Sequence, residues 1–166
     1  MTSILKVSTI QNTAGTAPTA GDLGLNVTGT VLQAVAQTGS FSGTISSLTT
    51  YVDLTNGTLT ITPTSATSKI LVTAGIYGTH LGEDINSRLR VTRDGTELKV
   101  CQGYGGNDGG LRSYAGFGLY FLDSPASTSQ LTYKAQMSLT NDGGIGYSNF
   151  VIATSSGGFT LLEIAG

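Results

Sequence analysis

Residues 114–136, YAGFGLYFLDSPASTSQLTYKAQ, contain the alternation that decides the fold class. In the first half, apolar side chains recur at every second position: Ala115, Phe117, Leu119 and Phe121. In the second half, Leu131, Tyr133 and Ala135 alternate with polar residues, which is the period of a β-strand with one solvated face. The motif Asp123-Ser124-Pro125 is a turn signal, because proline fixes φ and disfavours an α conformation at the preceding serine. We therefore predict two strands joined as a hairpin, with further strands covering the phenylalanine face.

The composition predicts strands for the rest of the chain as well. Charged residues make up 11% of the 166 residues, compared with about 25% in an average domain. Threonine, serine and glycine fill the difference. Long amphipathic helices need more Glu, Lys and Ala, whereas Thr and Val favour strands and Gly supplies turns. The sequence therefore predicts an all-β protein.

Net charge, cysteine content and hydropathy exclude several classes of function. The net charge is −2 and the 8 basic residues are dispersed, which argues against a nucleic-acid surface. The single cysteine, Cys101, cannot form an intrachain disulfide, and we interpret it as a small buried hydrophobic residue. No apolar run approaches the roughly 20 residues of a membrane span, and the N-terminus lacks the apolar core of a secretory signal. We expect a soluble protein made in a cytoplasm, with neither nucleic acid nor membrane as a partner.

Strands follow one another from residue 29 onwards. Residues 69–77, KILVTAGIY, form the most hydrophobic of them and are predicted at a sheet centre. Three glycine-containing pairs are predicted as hairpin turns: Asn56-Gly57, Asp94-Gly95 and Gly157-Gly158. Roughly eight or nine short strands at such regular spacing are typical of a sandwich or barrel. The pattern favours one antiparallel β-sandwich domain, residues 29–166, with a jelly-roll-like topology.

Residues 1–28 differ from the rest of the chain, because they contain one short strand-like run and then small, polar residues that build no core. We interpret them as an extended N-terminal arm that docks on the domain itself or on a neighbouring chain. Disorder of the arm in the free protein is the alternative. The candidate partner-binding residues are its apolar side chains: Ile4, Leu5, Val7, Ile10, Leu23 and Leu25.

Two groups of residues are candidates for metal binding. His80, Glu83 and Asp84 are close together in sequence, but a zinc site needs a further ligand that the sequence does not supply. Asn-Asp pairs stand at 107–108 and 141–142, but the D-x-[DN]-x-[DN]-G spacing of a calcium loop is absent. Ordinary turn chemistry accounts for these pairs, since Asn and Asp tolerate the left-handed region. We expect no metal and no cofactor.

Nothing in the sequence marks a catalytic centre. His80 is the only histidine and no serine stands in a G-x-S-x-G context, so a nucleophile has no usable base. The glycines of residues 103–106 precede no predicted helix, so no helix dipole supports a phosphate site. We therefore expect that the protein is not an enzyme.

The loops at residues 103–110 and 141–146 form a candidate exposed binding patch. Loop tyrosines can stack on sugar rings or fill a protein interface; alternatively, they cap the ends of the sandwich. The residues of this loop patch are Tyr104, Asn107, Asp108, Asn141, Asp142 and Tyr147.

Five segments resemble structural proteins of tailed phages, particularly cyanophages and other marine phages. They are SILKVSTIQNTAGTAPTAGDLGLNVTGTVLQ (3–33), YVDLTNGTLTITPTSATSKILVTAGI (51–76), RLRVTRDGTEL (88–98), FLDSPASTSQLTYKAQ (121–136) and SGGFTLLEIAG (156–166). Each segment is low in complexity, but together they cover most of the chain, and their order and spacing are fairly specific.

The resemblance implies a virion component with a β-sandwich domain that is typically trimeric and has no catalytic residues. Such a domain is found as a capsid decoration (cement) protein or in a tail fibre. We favour decoration, because the sequence has no heptad repeat and no β-helical shaft.

In a decoration protein, the arm, roughly residues 4–32, would grip the major capsid protein, another virion subunit or a neighbouring copy. The protein would then reside in the virion, assembled in the host cytoplasm. The alternative is a tail-fibre tip that binds a host surface glycan. A carbohydrate-binding module outside any virus is a third hypothesis.

Overall fold

The computed structural model describes residues 11, 14–17, 28–45, 50–81, 85–105, 113–141, 149–152 and 157–166. Within these ranges the chain forms ten β-strands and no helix. The strands are β1 (Val31–Ala36), β2 (Gly43–Ile45), β3 (Val52–Ile61), β4 (Lys69–Leu81), β5 (Ile85–Arg93), β6 (Thr96–Gly105), β7 (Ser113–Asp123), β8 (Leu131–Asn141), β9 (Asn149–Ile152) and β10 (Gly158–Ile164). The all-β prediction is therefore confirmed for the described part of the chain.

These strands form two antiparallel sheets. β4 is the centre of the first sheet, since it pairs with β7 along one edge and with β10 and then β9 along the other. β1 lies outside β10 and β2 lies outside β9, so six strands occupy four positions across this sheet. The second sheet has the order β3–β8–β5–β6. The predicted place of residues 69–77 at a sheet centre is confirmed.

The chain passes between the sheets in the order of a jelly roll. β1 and β2 belong to the first sheet, β3 to the second and β4 to the first, and β5 and β6 return to the second. β7 then joins the first sheet, β8 the second, and β9 and β10 complete the first. Two four-position sheets connected in this way form an eight-position jelly roll. The predicted antiparallel, jelly-roll-like β-sandwich is therefore confirmed.

The core lies between the sheets and is built from the inward positions of each strand. On β4 these are Ile70, Val72, Ala74 and Ile76, and on β8 they are Leu131, Tyr133, Ala135, Met137 and Leu139. Phe41, in the segment between β1 and β2, is fully buried, and its ring centroid lies 6.5 Å from that of Phe159. Burying a side chain of this size stabilises a fold by about 1.5–3 kcal/mol, so Phe41 anchors this segment to the core.

The predicted hairpin over residues 114–136 is wrong. β7 pairs with β4 in the first sheet, whereas β8 lies between β3 and β5 in the second. The connection over residues 124–130 is long enough to cross a core about 10 Å thick. A turn signal marks where a strand ends, but it does not decide which sheet the next strand joins. That choice depends on which strands together bury both apolar sides.

The predicted hairpin at Asn56-Gly57 is also wrong. The pair lies inside β3, which pairs with β8 on both sides of a register shift between Asp53 and Thr58. Asn56 has a φ of 61° and donates from Nδ2 to the carbonyl oxygen of Ser40 at 3.0 Å. A Cβ on Gly57 would lie 2.8 Å from a backbone carbonyl oxygen. The pair therefore produces a β-bulge, which uses the same positive φ as a type I′ turn.

Gly157-Gly158 does not form the predicted hairpin turn either. β9 and β10 pair with the same edge of β4, at residues 78–81 and 69–75, so they follow one another along that edge. Gly157 has a φ of 90°, and a Cβ there would collide with the carbonyl oxygen of Gly75, so only glycine fits. Of the three predicted glycine-pair hairpins, only Asp94-Gly95 between β5 and β6 is confirmed, with φ values of 48° and 84°.

The predicted arm, residues 1–28, lies almost wholly outside the described residues. Backbone hydrogen bonds of 2.8 Å join Gly29 N–H to the carbonyl oxygen of Ala165, and Ala165 N–H to the carbonyl oxygen of Thr30. The chain is therefore held against the end of β10 where β1 begins. The arm and the domain boundary at residue 28 stay predictions.

Candidate functional site

The outward side of the first sheet carries apolar and small residues, and we call it the apolar face. Its outward positions are Ala34 and Ala36 on β1; Leu71, Thr73, Gly75 and Tyr77 on β4; Gly116, Gly118, Tyr120 and Leu122 on β7; and Gly158, Thr160, Leu162 and Ile164 on β10. Tyr120 is 84% exposed and Leu122 is 51% exposed. None of these positions is charged, and Lys69 lies at one end of the face.

Three glycines on adjacent strands make a hollow in the apolar face. Gly75, Gly118 and Gly158 are neighbours across β7, β4 and β10. A shallow hollow of about 430 Å³ lies over them, and Tyr120 and Thr160 help to line it. A Cβ on Gly118 would lie 3.0 Å from a backbone carbonyl oxygen, whereas one on Gly158 would meet open space. An exposed tyrosine therefore stands beside a recess floored by backbone.

The outward side of the second sheet is charged, and we call it the polar face. Its main residues are Tyr51, Asp53, Arg88, Arg90, Glu97, Gln102, Lys134 and Gln136. Arg90 donates from Nη1 to Glu97 Oε2 at 3.1 Å and from Nε to Gln136 Oε1 at 2.7 Å. Lys134 Nζ donates to Asp53 Oδ2 at 2.6 Å. Arg90 and Lys134 therefore each have an acidic partner on the same face.

A cleft of about 320 Å³ lies on the polar face. It is lined by Arg90, Thr92, Asp94, Gly95, Thr132, Lys134 and Gln136. The guanidinium of Arg90 also stacks on the Tyr51 ring, 3.8 Å from its centroid, in a cation–π geometry. Hydrogen bonds from Lys134 and then Gln136 hold the pKa of the Asp53 carboxyl below its ordinary value. The cleft has room for a small polar ligand, which would compete with these internal pairs.

A polar cluster at the rim joins the two sheets. Arg93, the last residue of β5, donates from Nη1 to both carboxylate oxygens of Asp123, the last residue of β7, at 2.7 and 2.5 Å. The hydroxyl of Tyr133 on β8 donates to Asp123 Oδ2 at 2.6 Å. Tyr133 is fully buried, and this burial together with the hydrogen bond to Asp123 raises the pKa of its hydroxyl. The cluster connects opposite sheets, and we assign it a structural role.

Glu163 is a fully buried carboxylate on β10, between β1 and β4 in the first sheet. Its Oε1 accepts hydrogen bonds from the Thr64 backbone N–H and hydroxyl, both at 2.7 Å, and Oε2 accepts one from Gln33 Nε2 at 2.6 Å. Burial alone would raise the pKa of this carboxyl, but the hydrogen bonds outweigh it and hold the pKa below its ordinary value. Glu163 therefore links β10 to β1 and to the segment after β3.

Most of the sequence-predicted site residues lie outside the described part of the chain. These are Ile4, Leu5, Val7, Ile10, Leu23 and Leu25 of the arm, and Asn107, Asp108, Asp142 and Tyr147 of the loop patch. Tyr104 on β6 and Asn141 on β8 reach the same end of the second sheet, where Gly105 and Asn141 both pair with Ile85. The two strands that precede the predicted loops therefore end on either side of β5, and the patch itself stays a prediction.

The described residues contain no group of three His, Cys, Asp or Glu side chains that could hold a metal ion. His80 lies on β4, while Glu83 and Asp84 fall outside the described ranges. Cys101 is half-buried and packs against the core, and burial raises the pKa of its thiol. No helix among the described segments is long and apolar enough to cross a membrane.

Sequence reasoning placed the candidate sites in the arm and the loops and did not identify the apolar face. The sequence signal for this face lies in residues 114–122. Residues 114–122 carry no charge at either parity, and Gly116, Gly118, Tyr120 and Leu122 stand where a half-solvated strand normally has polar residues. The uncharged second parity of these residues therefore indicates an apolar outer side of the strand.

The chain matches no protein-family model, and a search of curated proteins finds no match. The apolar face suits another apolar protein surface, whereas the polar face suits water or a small polar ligand.

Proposed function

We propose that the protein is a trimeric capsid decoration, or cement, protein of a tailed-phage virion. In this role it binds the capsid shell through its N-terminal arm, stabilises the shell by repeated contacts, and acts without catalysing a reaction. The observation that carries the proposal is the apolar face, because it offers a large uncharged surface for a permanent contact. The phage resemblance of the five sequence segments supports the proposal independently.

An uncharged outer sheet face is unusual for a protein that works alone. Monomeric soluble proteins rarely expose contiguous apolar patches larger than a few hundred Å². Here Tyr120 and Leu122 share one face with Leu71, Leu162 and Ile164, all of them exposed or half-buried. The cores of stable interfaces are depleted in charge and enriched in aromatic side chains. Contacts with other virion subunits would bury this surface.

The jelly roll is compatible with this role but does not select it. Viral capsid and lectin domains share this fold, and a fold alone does not determine function. What the fold supplies is a rigid block whose first sheet is hydrogen-bonded to the chain at the end of the arm, through Gly29, Thr30 and Ala165. A force on the arm would therefore be carried directly into the sheet. An arm attached in this way can add a strand to a neighbour's sheet edge.

The test of the proposal is incorporation into particles. Mass spectrometry of purified virions of the encoding phage should detect the chain, and a particle reconstruction should place its density on the capsid shell. A variant that begins at residue 29 should stay folded and trimeric but fail to enter particles, since the arm supplies the contact with the shell. Unchanged incorporation of this variant would contradict the role of the arm. Absence of the full chain from virions would contradict the proposal as a whole.

A second candidate function is a tail-fibre or receptor-binding domain that recognises a host surface glycan. The observation that favours it is the cleft of about 320 Å³ on the polar face. Hydrogen-bonding side chains such as Arg90, Lys134 and Gln136, beside the ring of Tyr51, are suited to a sugar. A glycan array with the purified protein separates the two functions. Binding that Gln136→Ala abolishes and arm deletion preserves would favour recognition over decoration.

A further inference from the structure

The apolar face also indicates which partner covers it. We propose that this face is the contact between copies of the chain, with Tyr120 of one copy packed into the glycine hollow of another. The inference rests on the proposed function, because it assigns the surface through which subunits of the decoration protein associate.

The apolar face covers the full width of the first sheet. It spans four strand positions about 4.8 Å apart and about seven residues of about 3.3 Å each, or roughly 19 by 23 Å in projection. Projecting side chains such as Tyr120 raise the accessible area above that of the flat projection. The flat projection is about 440 Å², roughly half of the ~800 Å² per partner that a specific protein–protein interface buries, and the projecting side chains add to it. A small ligand would cover only part of such a surface.

Because the apolar face carries no charge, it favours a partner whose surface is also uncharged. A nucleic acid would require several cations, and among the outward residues of this sheet Lys69 stands alone at one end. A sugar would require several hydrogen-bonding side chains, and near the hollow only the hydroxyls of Thr73 and Thr160 are available besides that of Tyr120. A second copy presents the same uncharged surface, so the contact buries no unpaired charge on either side.

The apolar face carries both a projecting side chain and a hollow, as the subunits of a closed assembly require. Each subunit in a ring of identical copies must present both a projection and the recess that receives it. Tyr120 is 84% exposed, and it stands beside the hollow of about 430 Å³ over Gly75, Gly118 and Gly158. The hollow has room for a tyrosine ring. A buried aromatic side chain of this kind is a typical hot spot of a protein interface.

Residues 1–27 of the same chain are the competing occupant. The described residues of this segment are Gln11 and 14–17, and all of them are exposed. They are therefore not packed under or against the apolar face of their own copy. We assign the face to a second copy because its charge and relief fit, and removal of the arm is the test of the competing occupant.

The first experiment measures self-association of the full chain by analytical ultracentrifugation. Tyr120→Lys should raise the dissociation constant of the assembly by about 30-fold or more, as expected for loss of a hot-spot tyrosine. Thr60→Lys is the matched control, since Thr60 is exposed on β3 at the outer side of the second sheet. The control should associate as the unchanged chain does. Gly158→Leu places a side chain in the hollow at a position where a Cβ would meet open space, and it should weaken association as Tyr120→Lys does.

A second experiment tests the geometry of the contact. Tyr120→Cys and Gly158→Cys are placed on separate copies in a Cys101→Ala background, and the two proteins are mixed under mild oxidation. Each chain then carries a single cysteine, so every disulfide that forms joins two copies. A disulfide between unlike copies is therefore expected only if the tyrosine position of one copy meets the hollow of the other.

The outcomes separate this inference from the proposed function. A chain that is monomeric in solution yet present on virions would overturn the inference and leave decoration standing. Association that Tyr120→Lys and Gly158→Leu both leave unchanged would also overturn it. A monomer that begins to associate when residues 1–27 are removed would identify the arm as the occupant, contrary to our assignment. Association through this face in a chain absent from virions would uphold the inference and reject decoration.

Discussion

One outer face of the sandwich is charged and the other is uncharged, although both are built from the same strand alternation. On the polar face, Arg90 pairs with Glu97 and Lys134 pairs with Asp53, so both cations that line its cleft have an acidic partner within one copy. On the apolar face, Tyr120 and Leu122 project into solvent over glycines and small residues. The two faces therefore differ in charge and in side-chain bulk, and the proposed contact between copies uses the face that lacks both.

Different parts of the sandwich contribute to its solubility and to its stability. Exposed ion pairs contribute between about 0 and 1 kcal/mol each, so the polar face keeps the block hydrated without holding it together. The buried positions between the sheets and the polar clusters at the edges hold it together instead. Substitutions should therefore be costly at the floor of the first sheet and at its edges, and nearly silent on the polar face.

The largest effect is expected at the backbone floor of the first sheet. Gly157→Ala should lower the free energy of unfolding by about 3 kcal/mol or more, because the residue has a φ of 90° and a Cβ would collide with the Gly75 carbonyl oxygen. Gly158→Ala is the matched control and should change it by less than about 1 kcal/mol, since open space surrounds that position. Urea denaturation measures both. Equal losses of stability at the two positions would contradict the expected clash between a Cβ at position 157 and the Gly75 carbonyl oxygen.

The next largest loss of stability is expected at the rim, where the polar cluster of Arg93, Asp123 and Tyr133 joins the two sheets. Asp123→Asn should lower the free energy of unfolding by about 2–3 kcal/mol, because Arg93 and Tyr133 lose the carboxylate that both donate to. Asp53→Asn makes the same chemical change on the exposed polar face and should cost less than about 1 kcal/mol. Thermal unfolding followed by circular dichroism compares them. A larger loss for the Asp53 variant would reverse the contrast.

A pH-dependent effect is expected at Glu163. Its pKa is lower in the folded protein than in the unfolded chain, so the carboxylate stabilises the fold above about pH 4.3, the ordinary value. That contribution is lost as the pH falls through the lower folded value. Glu163→Gln should lower the free energy of unfolding by about 1–2 kcal/mol at pH 7, because the charged hydrogen bonds to Gln33 and Thr64 are lost.

The control for Glu163 is the acid limb of the stability curve. Between about pH 5 and pH 3 the melting temperature of the unchanged chain should fall more steeply than that of Glu163→Gln, because only the former has this carboxylate to protonate. Parallel curves for the two proteins would show that Glu163 does not couple protonation to folding.

The smallest effect is expected on the polar face itself. Lys134→Met should change the free energy of unfolding by less than about 0.5 kcal/mol, since both partners of its ion pair with Asp53 are substantially exposed. The effect should shrink further in high salt, as screening weakens the pair. Sedimentation of this variant should match that of the unchanged chain, in contrast to Tyr120→Lys. Loss of association in Lys134→Met would move the contact between copies to the polar face.

Part of the candidate site was within reach of sequence reasoning. The uncharged outward parity of residues 114–122 can be read directly, and so can the hydrophobic strand at residues 69–77 with which it pairs. The ion pairs of the polar face could not be anticipated, because Asp53 and Lys134 are 81 positions apart and meet only through the pairing of β3 with β8. The glycine hollow likewise needs three strands whose adjacency no local pattern specifies.

Local chemistry in the sequence was enough to determine that the described chain is all-β, which residues of β4 and β8 face the core, and that Asp94-Gly95 turns a hairpin. These properties follow from a two-residue period and from a positive φ, which depend on near neighbours only. Tertiary structure alone decided that β7 and β8 lie in opposite sheets and that β9 and β10 share one edge of β4. The physical reason is that an apolar strand side gains as much from one covering strand as from another, so only the packing of the whole sandwich selects its neighbour.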